Sequence, residues 1–134
     1  MKKAGIWLDK KEASIITLEG KGHQYKMIAS EVVTRERIEG ETKKFGKFGE
    51  QYLDAEKDKE SQMKSQISKY LKELIKEIQQ VDEVVIFGPA DMKNLLEKQI
   101  IADVSLATKL KAVETADSMT ENQKVAWVRD FYDN

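Results

Sequence analysis

"EVVIFGPADMKNLLEK", residues 83–98, changes its hydrophobic rhythm halfway along. Val84, Val85, Ile86 and Phe87 make a continuous apolar run, the pattern of a central strand covered on both faces. Gly88-Pro89 ends that run, and proline suits the first turn of a helix because the N–H it lacks has no partner there anyway. Met92, Leu95, Leu96 and Ile100 then recur at helical spacing. The amides at the start of that helix could receive an anion, but Asp91 already brings a negative charge, so Asp91 is expected to cap its own helix. A strand, a tight turn and a helix in direct succession form the building unit of a sheet with helices packed on its faces.

Upstream, residues 4–9 ("AGIWLD") and 13–20 ("ASIITLEG") are short runs rich in β-branched and aromatic side chains. Lys10-Lys11-Glu12 separates them, and together they read as a hairpin. After the Gly20-Lys21-Gly22 turn, residues 23–29 alternate polar and apolar side chains and predict a third antiparallel strand. Met63, Ile67, Tyr70, Leu71, Leu74, Ile75 and Ile78 recur at i, i+3, i+4, i+7 spacing and predict the strongest helix. Downstream, residues 110–113 predict a short strand. In "TENQ", Thr120 can cap a helix and Gln123 can reach back to it, with Val125, Val128, Phe131 and Tyr132 as the apolar stripe. The order β-β-β-α-β-α-β-α predicts a mixed α/β domain with a five-stranded mixed sheet. Ribonuclease-H-like folds and several translation-machinery domains share that architecture.

The 134 residues suffice for one core covered by two layers, so a single domain, 1–134, is expected. No apolar run approaches the roughly 20 residues of a membrane-spanning helix, which predicts a soluble chain with no membrane contact. The apolar stretch after Lys2-Lys3 is short and breaks at Asp9, unlike a secretory signal. Absence of cysteine excludes disulfides, thiolate metal sites and thiol catalysis and fits a reducing, cytoplasmic setting. A formal net charge of −1 argues against a surface built wholly for nucleic acid. The charge is nonetheless uneven, with 11 Lys/Arg against 8 Asp/Glu in residues 1–52 and 12 against 16 in residues 53–134. A basic end centred on Lys43, Lys44 and Lys47 follows.

"GIWLDKKEASIITLEG" as the first hairpin, "VVIFGPADMKNLLEK" as strand, turn and helix, and "VETADSMTENQ" before the last helix share an order and spacing with a known domain. The chain resembles the central domain of the eukaryotic and archaeal peptide-chain release factor family, which includes Pelota and related bacterial proteins. The resemblance covers nearly the whole chain and implies a free-standing relative of that domain. In release factors the loop between the third strand and the long helix carries Gly-Gly-Gln, which enters the peptidyl-transferase centre and helps water attack the peptidyl-tRNA ester. The matching place here is "ETKKFGKFGEQY", residues 41–52, inside an expected mobile loop over residues 38–53. Its nearest approach to the motif is Gly49-Glu50-Gln51, where glutamate replaces a glycine and restricts the backbone. The Glu50 carboxylate would also be repelled by RNA phosphates. Pelota-like relatives lack the motif too, so the resemblance implies association with ribosome, tRNA or other RNA without catalysis.

Aromatic rings interleaved with lysines suit stacking on unpaired bases while the amines contact phosphates, which makes Lys43, Lys44, Phe45, Lys47, Phe48 and Gln51 the candidate binding residues. Two enzymatic alternatives stand beside this reading. One is peptidyl-tRNA hydrolysis through Gln51. The other is a metal-dependent nuclease with Asp9 at the end of the first strand, for which Glu60 and Glu114 are the remaining acids and neither sits in a motif. The ordinary preference of aspartate for turns explains Asp9 without metal. A third alternative is a homo-oligomer in which Phe45 and Phe48 pack across a subunit interface. His23, the only histidine, has no cysteine or second histidine with which to build a zinc site and reads as an exposed strand-end residue. Trp7 and Trp127 lie within elements that read as buried and are expected in the core or an interface. No cofactor and no metal are expected.

Overall fold

The computed structural model describes residues 1–30 and 49–133, with the side chains of all of these except 49–61. The opening β-branched runs form β1 (Lys3–Leu8) and β2 (Glu12–Glu19), and the alternating run forms β3 (Gly22–Ala29). Helix α1 (Gly49–Gln79) leads to β4 (Glu83–Gly88) and then to α2 (Met92–Ile101). A single helical turn, α3 (Val104–Ala107), precedes β5 (Leu110–Thr115), and α4 (Glu121–Asp133) closes the described chain.

The five strands form one sheet in the order β3-β2-β1-β4-β5. β1 is antiparallel to β2 and parallel to β4, so it joins the local meander to the strand-helix units. Ile6 stands opposite Ile15 on one side and Ile86 on the other. Because side chains alternate along a strand, each strand contributes to two cores. Ala4, Ile6, Leu8, Ala13, Ile15, Val84 and Ile86 face α1 and α2, where Tyr70, Leu71, Leu74, Ile78, Leu96 and Ile100 close the larger core. Trp7, Ile16 and Phe87 face the other way, against Val125 and Val128 of α4. At Gly5 that helix lies directly on the backbone, since a Cβ there would come within 2.3 Å of a Val128 methyl.

The mixed five-stranded sheet and the element order agree with the sequence reading. The long helix differs in extent. Its backbone is helical from Gly49, so Gly49-Glu50-Gln51 forms its first turn, and the rest of the loop expected over residues 38–53, up to Phe48, lies outside the described residues. Residues after Gly49 such as Glu50, Gln51, Leu53, Ala55, Glu56 and Lys57 are good helix formers without proline, and this carries the helix well before its apolar stripe begins. Met63, read as the first residue of that stripe, is 36% exposed, and among the described side chains of the helix the first packed against the core is Ile67.

A second difference concerns Asp91. It is the N-cap of α2, but its own backbone is already helical (φ −104°, ψ −10°), and its carboxylate makes no capping bond. Capping side chains ordinarily reach back from an extended backbone. Instead the buried Lys93 donates to the carbonyl of Ala90. The cap of α4 follows the expected pattern: the Gln123 N–H donates to Thr120 Oγ1 at 3.2 Å, and the Thr120 N–H donates to Gln123 Oε1 at 3.0 Å. Thr120→Ala should lower stability by about 1 kcal/mol. Urea unfolding would register this as a reduced midpoint at unchanged slope.

Candidate functional site

β1 and β4 run parallel and finish together at one edge of the sheet, the edge where open α/β sheets place their clefts. The turn after β1 is closed by Asp9. Its Oδ1 accepts the backbone N–H of Lys11 at 2.8 Å and of Glu12 at 2.9 Å, while the Asp9 N–H donates to the Glu12 carbonyl at 3.0 Å. The hydroxyl of the buried Tyr70 donates to the Asp9 carbonyl at 3.1 Å. Burial, reinforced by the carboxylates of Asp9 and Glu12, pushes the Tyr70 phenol well above its ordinary pKa, so it stays protonated as a donor. Ser30 ties the end of β3 to the same turn: its N–H donates to the Lys11 carbonyl at 2.9 Å and its hydroxyl to the Lys10 carbonyl. The chain therefore departs toward residue 31 from a point held beside the exposed Lys10 and Lys11. Those two lysines read from sequence only as a charged turn.

Lys43, Lys44, Phe45, Lys47 and Phe48 lie outside the described residues, and with them the loop-mediated subunit contact. Gln51 lies in the first turn of α1. For the nuclease reading, one oxygen of Asp9 is committed to the turn. Glu114 pairs across β4 with Phe87, which in turn pairs with Trp7 of β1. It thus sits two strand spacings from β1, roughly 10 Å. Among the described residues no three His, Asp or Glu side chains gather where a metal ion could be held.

On the opposite face lies a polar group that sequence reasoning missed. Lys124 of α4 is only 5% exposed, and its Nζ donates to Ser14 Oγ at 2.9 Å. Ser14 also accepts the Tyr25 hydroxyl at 2.7 Å. The same ammonium lies 4.1 Å from the centre of the Trp7 ring, whose Nε1–H donates to the Asp117 carbonyl at 3.2 Å. A hydroxyl beside an amine has the makings of a nucleophile and its base. Ser14 is fully buried, however, so no substrate reaches Oγ, and the group fastens α4 to the sheet. The sequence signal was the position of Lys124 four residues before Val128 on the apolar side of α4.

Farther along α4, Trp127 stacks on Phe87 with ring centres 4.0 Å apart, and Phe131 stacks on Trp127 at 5.8 Å. Both tryptophans thus belong to the second core, as expected. His23 is exposed at the start of β3, where Arg129 approaches its Nδ1 at 3.3 Å.

No protein-family model and no curated protein sequence matches this chain. Among solved structures, Pelota from Thermoplasma acidophilum is similar over 91% of this chain at 13% identity, with a TM-score of 0.52. The likeness is one of fold. An archaeal translation termination factor, aRF1, aligns over 98% of this chain at 16% identity, with a TM-score of 0.48. This chain spans only 30% of that Pelota and 38% of that aRF1.

Proposed function

We propose that this domain is a non-catalytic module that associates with the ribosome, tRNA or another RNA through Lys43, Lys44, Phe45, Lys47, Phe48 and Gln51. The observation that carries the reading is the likeness in fold to Pelota over most of the chain, which coincides with the resemblance carried by the residues themselves. Lysine amines meet phosphates and phenylalanine rings stack on unpaired bases, so the segment 43–51 has the chemistry for single-stranded or looped RNA. Lys10 and Lys11 add charge where the chain enters that region. Binding is preferred to nuclease chemistry because Asp9 is held by its turn and Glu114 stands on a distant strand.

Sedimentation with ribosomes tests the reading. Wild-type protein is expected in the ribosomal pellet at low salt and to leave it steeply as salt rises. Lys43→Glu/Lys44→Glu/Lys47→Glu should abolish pelleting. Binding indifferent both to salt and to these substitutions would refute the proposal.

A further inference from the structure

The outer face of α1 carries a row of cations that the fold does not use. At roughly 100° per residue, Tyr70, Leu74 and Ile78 centre the buried side of the helix. Lys69, Lys72 and Lys76 fall within roughly 60° of one another on the opposite side, while Lys64 stands on a different side, within roughly 20° of the buried Leu71. All four are exposed. Among the described residues the ion pairs are Lys26 with Glu77 and Lys111 with Glu83, so none of these four lysines is neutralised. Glu77 is thus engaged elsewhere, and Glu73, four residues after Lys69 and three before Lys76, makes no ion pair with either. Within residues 62–79, where the side chains are described, the outward arc holds only Gln62, Ser65 and Gln79 besides the lysines. Successive ammoniums from Lys69 to Lys76 advance by roughly 4.5 and 6 Å along the axis.

We infer that this ridge is a contact surface for the phosphate backbone of RNA. Point charges at close, regular intervals with small polar residues between them suit phosphates, which position a partner without reading its sequence. A membrane surface is disfavoured because the helix has already spent its apolar face on the sheet and keeps none to insert. A protein partner would want an aromatic or arginine anchor, and the arc has neither. The choice of RNA among polyanions rests on the function proposed above; the placement of the ridge does not.

Fluorescence anisotropy with a labelled 20-nucleotide poly(U) RNA, using the whole chain, tests the inference. Lys69→Gln/Lys72→Gln/Lys76→Gln keeps helix propensity and should bind roughly tenfold or more weakly at low salt, with a log-log salt slope shallower by about 2. Lys72→Gln alone should flatten the slope by about 0.7. An unchanged slope in the triple variant overturns the inference. So does wild-type preference for phosphatidylserine vesicles or polyglutamate over the RNA. Running the Lys43/Lys44/Lys47→Glu variant alongside separates the two proposals. If it alone loses RNA, the ridge fails and the segment 43–51 stands; if RNA binding depends on the ridge while ribosome pelleting is absent, the ridge stands and the segment fails.

Discussion

Gly88→Ala should cost about 2–6 kcal/mol, a large fraction of the total stability of about 5–15 kcal/mol typical of a folded domain. Gly88 closes β4 with φ at +149°, a backbone state that a side chain enters at a cost of about 1–3 kcal/mol. The added Cβ would also lie 2.3 Å from the Leu8 carbonyl oxygen and 3.2 Å from the Leu8 nitrogen. Both are backbone atoms of the neighbouring strand, so no rotamer change relieves the overlap. The central parallel pair must part instead, adding about 1–3 kcal/mol as in other overpacked cores. A urea midpoint that moves by the equivalent of less than about 1 kcal/mol would show that the β1–β4 junction yields more readily than this geometry implies.

Ser14→Ala is the second substitution with a large expected effect, about 2–4 kcal/mol. A typical lost hydrogen bond costs about 1 kcal/mol, but here one hydroxyl serves two partners, the half-buried Tyr25 and the buried, charged Lys124. Its removal leaves the Lys124 ammonium with only the Trp7 ring and leaves the Tyr25 hydroxyl without its acceptor. Replacing a buried charge by an apolar side chain of similar volume is often neutral or stabilising, whereas orphaning it is not. Ser14→Ala/Lys124→Met should therefore be more stable than Ser14→Ala alone, with a coupling of about 1–3 kcal/mol in a double-mutant cycle. Additivity within about 0.5 kcal/mol would show that the lysine does not depend on Ser14.

Much of the sheet was legible in the chain because strand residues carry their burial in their chemistry. Val84, Val85, Ile86 and Phe87 admit no solvent-facing position, and each is fully buried. Thr120 and Gln123 form their reciprocal cap because the bonds involve residues three apart and need no distant partner. What escaped was decided across the fold. Lys124 reads as a solvated helix residue until the distant Ser14 and Trp7 are brought beneath it. Asp91 has the composition of a cap, but the positive φ of Ala90 and the reach of Lys93 settle that turn instead. Helix α1 begins well before its apolar stripe, over residues whose intrinsic propensity favours helix. Of the candidate site residues only Asp9 and the backbone of Gln51 fall within the described residues, so composition and resemblance alone speak for the others. The lysine ridge needed the structure, since a helical row of charges acquires direction only when its buried side is known.

β1 takes its two neighbours from very different distances along the chain: β2 follows after a tight turn, whereas β4 arrives some 75 positions later. Bringing remote strands side by side has an entropic penalty that grows only with the logarithm of the intervening length, about 0.6 kcal/mol for each doubling. The pairing of β1 with β4 is therefore burdened only lightly by the length of chain that separates them, and a homologue with a much longer or shorter span between these two strands would meet almost the same entropic threshold on closing its sheet.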